Sequence, residues 1–462
     1  MQPLESSSEK KKIMISHLPH DISEKLELPI YLDLLLKFLL KIVKWFHLFR
    51  YPLEHDPDKE TITRGVYGVW KAKHPIIKSK KGSGLKQFFR NQKFKEKNLL
   101  PPAFMEEESL TLSAVGDLMK NPVTKYSKNK FYNNVADLIF NSEIAVANLE
   151  SALTNKPIEP TKYDHKGSPK INASLEEYKA LIQHEDRYYD LICMCNNHTL
   201  DCGEEGFFTT VEQIKNDGIE YFGINLSPED VDKALIFEEK GIKFGFIGFT
   251  YSLNKRKFPA GKEYLVNMVP FHKEDFDGNL NPIKNQINYC KQEDCDLIIL
   301  TLHWGLEYEF YPTPQQVEIA HELVEAGADL IISHHTHCIQ PFELYKTKRD
   351  ADRIVPILYG LGNLSANKNA AYVVLSLIAQ LEIVQGTIKS EKKTFIKQLD
   401  LTPVFQLEKE TEEGYFMELE KLAEMTDKEY ADPELADYIS TIKKYAELIL
   451  EDECKASNNN NE

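Results

Sequence analysis

Residues 297–340 read LIILTLHWGLEYEFYPTPQQVEIAHELVEAGADLIISHHTHCIQ, and this stretch decides the predicted fold. Its two apolar runs, at 297–302 and 330–332, are typical of strands that a parallel sheet buries on both faces. Between them, residues 314–326 carry apolar side chains at helical spacing and are followed by Gly327, which predicts a helix and its end. The order strand, helix, strand predicts a parallel βαβ unit and therefore an α/β protein.

Histidines follow both predicted strands of this unit: His303 follows the first, and His334, His335 and His337 follow the second. Ligands of open parallel sheets bind beyond the carboxyl ends of the strands, and imidazole is a common metal ligand. Four histidines at these ends therefore favour a metal site over histidines that only complete hydrogen bonds in the core. Because alternate residues of an extended segment share a face, we expect His335 and His337 to point to one side and His334 to point away.

Earlier predicted strands also end in polar side chains. Residues 110–115 lead to Asp117, residues 144–147 to Asn148 and Glu150, and residues 191–195 to Asn197 and His198. Helical patterns separate these strands, so we expect a mainly parallel sheet with right-handed crossovers. A hairpin at 234–249 and strands at 356–359, 371–383 and 393–405, the last two joined by a turn at 385–387, complete the predicted core.

The length and charge of the chain indicate a large acidic body, residues 101–462, and a basic N-terminal region, residues 1–100. The chain has 462 residues, 42% of them hydrophobic, and a formal net charge of -16. Residues 1–100 carry 20 Lys and Arg against 11 Asp and Glu, a balance of +9 that leaves -25 for residues 101–462. An acidic body argues against nucleic acid as a partner. The seven cysteines form no CxxC pair, which favours free thiols in a reducing compartment.

The basic N-terminal region, residues 1–100, is predicted to contain an amphipathic helix at 30–49. Four charges in this helix make a membrane-spanning role unfavourable. The helix either lies on a membrane surface, helped by the ten Lys and Arg of residues 71–97, or packs on the body or on a partner. Residues 78–98 resemble a mobile linker. Since no secretory signal is visible at the N-terminus, we expect a cytoplasmic protein. Residues 30–97 would allow peripheral contact with a membrane.

The remaining chain is predicted to form a main domain, residues 101–405, and an acidic C-terminal extension, residues 406–462. The pattern from Thr411 onward predicts helix, and residues 455–462, KASNNNNE, predict a disordered tail.

The polar residues at the strand ends combine carboxylates, amides and imidazoles. This mixed oxygen and nitrogen set suits two adjacent divalent ions such as Mn, Fe, Zn or Mg. Two such ions lower the pKa of bound water and hold both the attacking and the leaving oxygen. The pattern therefore predicts metal-assisted hydrolysis. Simpler roles exist for individual residues: Asp117 could cap a helix, and Asn148 and Asn197 could be turn residues.

Six ordered blocks of sequence resemble the CapA family, which is associated with poly-γ-glutamate capsule synthesis. The blocks span residues 109–366 and are Gly116-Asp117-Leu118-Met119, Asn148-Leu149-Glu150, Asn196-Asn197-His198 with Asp201 and Gly203, His303-Trp304-Gly305 with Glu307-Tyr308, 327–341 with its histidines, and 359–363. The resemblance implies a calcineurin-like metallophosphoesterase fold, a four-layer α/β/β/α sandwich. General metallophosphoesterases have a histidine where this chain has Met119, so one ligand of the first ion is missing from the pattern.

The resemblance also implies roles for individual residues. Six are implied metal ligands: Asp117, Glu150 as a bridging carboxylate, Asn197, His303, His335 and His337. His198 resembles the histidine that binds or protonates the leaving group, and Asp201 of the same block is assigned to catalysis with it. Four are candidate substrate-binding residues: Asn148, Lys166 in a loop region that faces substrate in the family, Trp304 and His334.

Two functions follow from this sequence. The first is a metal-dependent hydrolase acting on a phosphoester or a γ-glutamyl-type substrate, an anionic small molecule or polymer, in poly-γ-glutamate synthesis or processing. The second is a non-catalytic scaffold of the same family that binds an anionic polymer or a partner protein.

Overall fold

The computed structural model describes residues 14–15, 31, 34–35, 38–39, 41–42, 83–91, 98–156, 170–254, 256–271, 278–366, 370–411, 414–425 and 432–450. Lys166, the predicted tail at 455–462 and most of the predicted helix at 30–49 lie outside these residues. Where residues of 30–49 are described, at positions 31, 34, 35, 38, 39, 41 and 42, they are helical. Within the described part of the chain, no helix is long and apolar enough to cross a bilayer.

Nineteen strands alternate with helices along the described chain. The strands are β1 Met14–Ile15, β2 Met105–Leu118, β3 Ile144–Leu149, β4 Ala152–Leu153, β5 Asn172–Ala173, β6 Gln183–His184, β7 Arg187–Tyr188, β8 Leu191–Cys193, β9 Glu220–Phe222, β10 Leu235–Glu239, β11 Ile242–Thr250, β12 Leu297–His303, β13 Leu330–His334, β14 Phe342–Lys346, β15 Ile354–Leu358, β16 Asn363–Ser365, β17 Leu375–Ile388, β18 Glu391–Thr411 and β19 Gly414–Lys421. The helices are α1 Leu85–Asn91, α2 Ala136–Ile139, α3 Leu175–Ile182, α4 Gly203–Asn216, α5 Asn281–Gln292, α6 Pro314–Ala326, α7 Ala371–Val374 and α8 Pro433–Leu450. Short 3-10 turns lie at Thr124–Tyr126, Pro228–Asp230 and Leu422–Glu424.

Most strands belong to two mixed sheets. The first has the order β1-β18-β17-β2-β3-β8-β9, with β16 paired to β2 and β19 to β18. The second has the order β10-β11-β12-β13-β15-β14. In both sheets the neighbouring strands that carry the polar ends are parallel, β2-β3-β8 in the first and β11-β12-β13 in the second. The predicted parallel core and the predicted hairpin of β10 and β11 are confirmed.

The alternation of side chains along β12 shows how the layers stack. Leu297 and Ile299 belong to the cluster that also contains residues of the first sheet, such as Val146 and Ile192. Ile298, Leu300 and Leu302 point the other way and pack with α5 and α6. Because successive strand residues face opposite sides, one face of the second sheet meets the first sheet and the other is covered by helices. Helices α3, α4 and α8 pack on the first sheet. The predicted four-layer α/β/β/α order is confirmed.

The predicted βαβ unit forms as β12, α6 and β13. Helix α6 begins with a capping box, in which the Thr313 side chain accepts a bond from the Gln316 backbone and the Gln316 side chain accepts one from Thr313. Pro314 occupies the first turn, where no backbone donor is needed, and Gly327 ends the helix at a φ of 141°. These local signals place both strand ends on the same side of the sheet, so that His303 and His334 are paired in register.

Four predictions of secondary structure are wrong. The strand predicted at 371–383 begins only at Leu375, because Ala371–Val374 forms the short helix α7. Residues Gly414–Lys421, predicted as helix, form β19 on the edge of β18, and the helix begins at Pro433. Pairing with a long neighbouring strand overrides local helical preference there. The turn between β17 and β18 lies at Lys389 and Ser390, which both have positive φ, and Gly386 remains inside β17. Part of the predicted linker, Leu85–Asn91, is a helix whose Phe89 contacts the ring of Tyr359 at 5.5 Å.

Candidate functional site

The carboxyl ends of parallel strands from both sheets bring the polar residues of the sequence together. In the first sheet Asp117 is paired in register with Asn148, and in the second His303 is paired with His334. Because the sheets pack face to face, these two pairs lie close to each other at the strand ends. Asp117 Oδ1 and His334 Nδ1 are 2.7 Å apart. The strand ends of the two sheets therefore meet at one site.

Gly116 allows β2 to reach this site. A Cβ atom at Gly116 would lie 2.4 Å from the backbone oxygen of Gly362, so no larger residue fits without movement of the backbone. The next residue, Asp117, donates its backbone N–H to that same oxygen at 3.0 Å. The β2–β3 register also shifts between Ala114 and Asp117. This irregularity and the close backbone contact position the Asp117 carboxylate.

Three overlapping groups of acidic and histidine side chains have ligand atoms within 4.8 Å of one another. The groups are Glu150 with His303 and His335, Asp117 with Glu150 and His337, and Glu307 with His335 and His337. Glu150 is common to the first two. Five of the six predicted ligands thus come together, and the sixth, Asn197, lies beside them with its Oδ1 atom 3.0 Å from His303 Nε2.

Glu150 is the best indication that this site holds a cation. Its carboxylate is fully buried, and among the described residues neither oxygen has a hydrogen-bond partner. Its Oε1 atom lies 3.5 Å from His303 Nε2 and 3.8 Å from His198 Nε2. Burial, followed by the charge of Asp117, raises the pKa of Glu150 to about 8. A buried carboxylate without hydrogen bonds is costly, and a bound divalent ion would remove that cost. The residues present therefore fit a metal centre.

Asp117 is held firmly by its neighbours. Its Oδ1 atom accepts a hydrogen bond from Asn148 Nδ2 at 2.8 Å, and its Oδ2 atom accepts one from the His335 backbone at 3.2 Å. Burial acts to raise the pKa of Asp117, but the nearby His334 ring outweighs it and brings the pKa below its ordinary value. Asn148 is itself fully buried and contacts Asp117, so the structure places it as a support for this carboxylate.

The predicted orientation of His334 is wrong. Strand alternation predicts that it points away from the site, but its Nδ1 atom lies against Asp117. Strand β13 ends at His334, and His335 and His337 have φ values of 88° and 54°, so the backbone beyond the strand is not extended. Side chains therefore do not alternate between faces after His334, and all three histidines face the site.

Trp304 does not fit its predicted role in substrate binding. It is one residue past His303 and so faces the opposite side of the second sheet. Its ring is fully buried, packs against Phe271 at 5.1 Å, and donates its Nε1–H to Ser333 Oγ at 3.0 Å. Trp304 is a core residue of the layer formed by the second sheet and its helices.

His198 and Asp201 form a buried pair at the edge of the site. His198 Nδ1 and Asp201 Oδ2 are 2.5 Å apart. Asp201 also accepts bonds from the Ile171 backbone at 2.7 Å and from Arg256 Nε at 3.1 Å. Burial acts to lower the pKa of His198, but the charge and hydrogen bond of Asp201 raise it above its ordinary value. The other ring nitrogen, Nε2, faces Glu150. His198 can thus hold a proton beside the ligand cluster.

His303 differs from His198 in its protonation. Burial lowers the pKa of His303 to about 3. A neutral imidazole is the form that binds metal ions. The two histidines are therefore suited to different tasks, one to donating a proton and the other to ligation.

Glu307 is a further site residue that the sequence pattern did not single out. It follows β12 by four positions, is half-buried, and groups with His335 and His337. Its position in the sequence block that starts at His303 could have identified it, because an acidic residue soon after a strand that ends in histidine lies near the same sheet edge.

Comparison with known proteins agrees with the sequence blocks. Residues 111–368 match the model of the family described as "Bacterial capsule synthesis protein PGA_cap". The chain is 27% identical to a capsule biosynthesis protein CapA of Bacillus anthracis, over 68% of this chain and 76% of that protein. It is 24% identical to a PGA biosynthesis protein CapA of Bacillus subtilis, over 64% of this chain and 72% of that protein. A probable polyglutamine synthesis accessory protein of Mycobacterium tuberculosis is 26% identical over 46% of this chain and 54% of that protein.

Among solved structures, a calcineurin-like phosphoesterase, YfkN of Bacillus subtilis, aligns with 74% of this chain and 98% of its own, at 13% identity and a TM-score of 0.32. The family match covers more than half of the chain and contains every residue of the three ligand groups. The chain therefore belongs to the bacterial capsule synthesis protein family, PGA_cap.

Proposed function

We propose that this protein is a metal-dependent hydrolase that acts on a γ-glutamyl-type amide or a phosphoester in the synthesis or processing of poly-γ-glutamate. One observation carries the proposal: the buried Glu150 carboxylate has no hydrogen-bond partner among the described residues and belongs to two ligand groups at once. A carboxylate in that position suits a bridge between two cations. The names of the relatives from two Bacillus species support the biological role.

The residues of the site divide into two ligand groups that share Glu150. His303 and His335, with the nearby Asn197, would hold one ion, and Asp117 and His337 would hold the other. Their oxygen and nitrogen donors suit Mn, Fe, Zn or Mg. When bound, two such ions supply Lewis acidity and lower the pKa of water at the site.

His198 would protonate the leaving group. Asp201 accepts the Nδ1–H of His198, which leaves the Nε2 atom directed toward Glu150 and the ligand cluster. Because the carboxylate of Asp201 stabilises the protonated imidazole, His198 keeps its proton at higher pH than an ordinary histidine. A general acid is needed for both candidate reactions, since an amine or an alkoxide leaves.

The substrate is proposed to be anionic. The body carries a net charge of -25, so a polyanion would be attracted by the bound cations or by the basic N-terminal region and repelled elsewhere. This proposal also places the protein in the cytoplasm, with peripheral contact with a membrane through residues 30–97.

A non-catalytic role is the second candidate. The name of the related mycobacterial protein describes a probable polyglutamine synthesis accessory protein. Met119, a poor ligand for hard divalent ions, follows Asp117 by two positions. In this role the same site would bind an anionic polymer or a partner without turnover.

Chelation and refilling test the proposal. The full chain is stripped of metal, refilled with Mn²⁺, and assayed on p-nitrophenyl phosphate, a phosphodiester, γ-glutamyl-p-nitroanilide and γ-linked glutamate oligomers. The hydrolase proposal expects hydrolysis of at least one substrate that disappears with chelator and returns with metal. Metal binding without turnover on any of them, together with binding of polyglutamate, would favour the accessory role.

Two variants make this assay specific. Glu150→Gln removes the charge of the shared carboxylate at nearly constant volume, so we expect loss of activity by at least about 100-fold. Glu318→Gln changes an exposed acid on α6, away from the site, and serves as the matched control. Equal activity in both variants would contradict the assignment.

A further inference from the structure

We propose that Glu307 is a further metal ligand of this centre. This proposal rests on the metal centre described above and adds to it a residue that the sequence did not assign. Glu307 has a carboxylate oxygen within 4.8 Å of ligand atoms of His335 and His337.

The two histidines near Glu307 come from different ligand groups. His335 belongs to the group with Glu150 and His303, and His337 belongs to the group with Asp117 and Glu150. A carboxylate that lies close to one histidine of each group lies beside both ligand groups. In the part of the chain that the structure describes, Glu307 is the one acid besides Asp117 and Glu150 that enters these groups.

The backbone holds Glu307 in this place. Tyr308 donates its N–H to the Thr336 oxygen at 2.7 Å, which ties the segment after β12 to the segment that carries His335 and His337. Gly305 makes the turn between β12 and Glu307 with a φ of 102°, and a Cβ atom there would lie 2.8 Å from Gln316 Nε2. The ring of Tyr308 lies 5.8 Å from that of His337. Glu307 is therefore fixed beside the two histidines.

A third carboxylate changes which metals the centre prefers. Asp117, Glu150 and Glu307 together would offset three of the four positive charges of two divalent ions. More carboxylate oxygens favour hard ions, so the site should bind Mn²⁺ or Mg²⁺ better, relative to Zn²⁺, than a site with imidazole in their place. Mn²⁺ and Mg²⁺ also need close to six donors, so a group of three protein ligands leaves about three positions open, and a Glu307 oxygen would fill one of them.

Metal binding by the full chain tests the proposal without any assay of activity. Mn²⁺ titration by calorimetry, with electron paramagnetic resonance to count coupled ions, is done on the stripped wild type, Glu307→Gln, Glu307→Asp and the control Glu318→Gln. We expect Glu307→Gln to bind at least one ion about tenfold more weakly or to lose it, Glu307→Asp to be intermediate, and the control to match the wild type. Two ions bound by Glu307→Gln with unchanged affinity would overturn the proposal.

A second measurement tests the proposal even if the variant fails to fold. In Mn²⁺-loaded wild-type crystals, anomalous scattering locates the ions, and a Glu307 oxygen at about 2.0–2.6 Å from an ion is expected. A distance beyond 4 Å, roughly twice such a bond, would overturn the proposal. A wild type that binds no ion would overturn both this proposal and the metal centre.

The outcomes separate this inference from the proposed hydrolase. If the wild type binds two ions without hydrolysing any substrate and Glu307→Gln loses one, the ligand assignment stands and the hydrolase proposal fails. If the wild type hydrolyses a substrate and Glu307→Gln binds metal normally, only the ligand assignment fails.

Discussion

The imidazole of His198 lies with its Nδ1 atom 2.5 Å from Oδ2 of Asp201, three residues later in the chain. The carboxylate is buried and also pairs with Arg256 Nε at 3.1 Å. This geometry fixes the tautomer of His198 and leaves its Nε2 atom facing the ligand cluster. The contact of Asp201 with Arg256 restrains the carboxylate in turn, so Arg256 is a positioning residue for the proposed acid.

Replacing Asp201 by Asn should lower hydrolysis by about 10- to 100-fold and change its pH profile. An acid with a raised pKa stays protonated to higher pH, so activity falls as pH rises through that pKa. Without the carboxylate the pKa of His198 drops, and the alkaline fall in activity should move to lower pH. Rate profiles of both proteins check this, and thermal unfolding detects a merely structural effect. An alkaline limb that stays in place would refute the role of Asp201.

Replacing Glu150 by Gln should stabilise the metal-free protein at neutral and alkaline pH. The unfolded carboxyl ionises near its ordinary pKa of 4.5, whereas burial raises the folded pKa to about 8. Between these values the unfolded state holds fewer protons, so the stability of the wild type falls as pH rises. At pH 8 the free energy of unfolding of the metal-free variant should exceed that of the wild type by about a few kcal/mol, as expected from the difference between the folded and unfolded pKa values of Glu150.

Added Mn²⁺ should make the wild type more stable than Glu150→Gln, because the ion binds the wild-type carboxylate and hardly binds the amide. Chemical unfolding at pH 5 and pH 8, with and without Mn²⁺, measures both effects. Equal stabilisation of the two proteins by Mn²⁺ would contradict a shared role for Glu150.

Glu143 should stabilise the protein in a pH-dependent way. Its carboxylate accepts bonds from the Thr111 backbone and hydroxyl at 2.8 and 2.6 Å, and it pairs at 2.7 Å with Lys240, which lies in the turn between β10 and β11. Burial acts to raise its pKa, but Lys240 and Thr111 lower the pKa to about 2. A depressed pKa gives stability that is present above pH 4.5 and is lost as pH falls toward 2.

Glu143→Gln should therefore cost roughly 1 kcal/mol at pH 7, because solvent screens this one-third-exposed side chain. Urea unfolding of both proteins at pH 7 and pH 2.5 measures the difference. A deficit of the same size at both pH values would show that the charge of Glu143 plays no part.

Replacing Trp304 by Phe should cost stability without changing substrate affinity. The change removes the bond to Ser333 Oγ and part of the ring buried against Phe271, a loss of about 1–3 kcal/mol. Since the ring faces away from His303, KM of the folded variant should match that of the wild type. A KM raised by tenfold or more, with wild-type stability, would restore Trp304 as a substrate contact.

Local patterns in the sequence determined the α/β class, the βαβ unit and the strand ends at Asp117, Glu150 and His303. Continuous apolar runs and a capped amphipathic segment are encoded within 10 to 20 residues, roughly the length of a strand or helix, so they can be predicted without knowledge of the whole fold. The six sequence blocks also predicted the family, and the match over residues 111–368 confirms it. That these residues bind metal stays a prediction.

Tertiary structure alone decided the contact of His334 with Asp117, the burial of Trp304 away from the site and the entry of Glu307 into the cluster. Each depends on contacts between segments far apart in sequence, or on the positive φ values after β13, which alternation does not predict. The same reason explains β19, whose pairing with β18 outweighs its local helical pattern. The stacking of two sheets brings their strand ends together, and that non-local packing determines which neighbours each polar side chain meets.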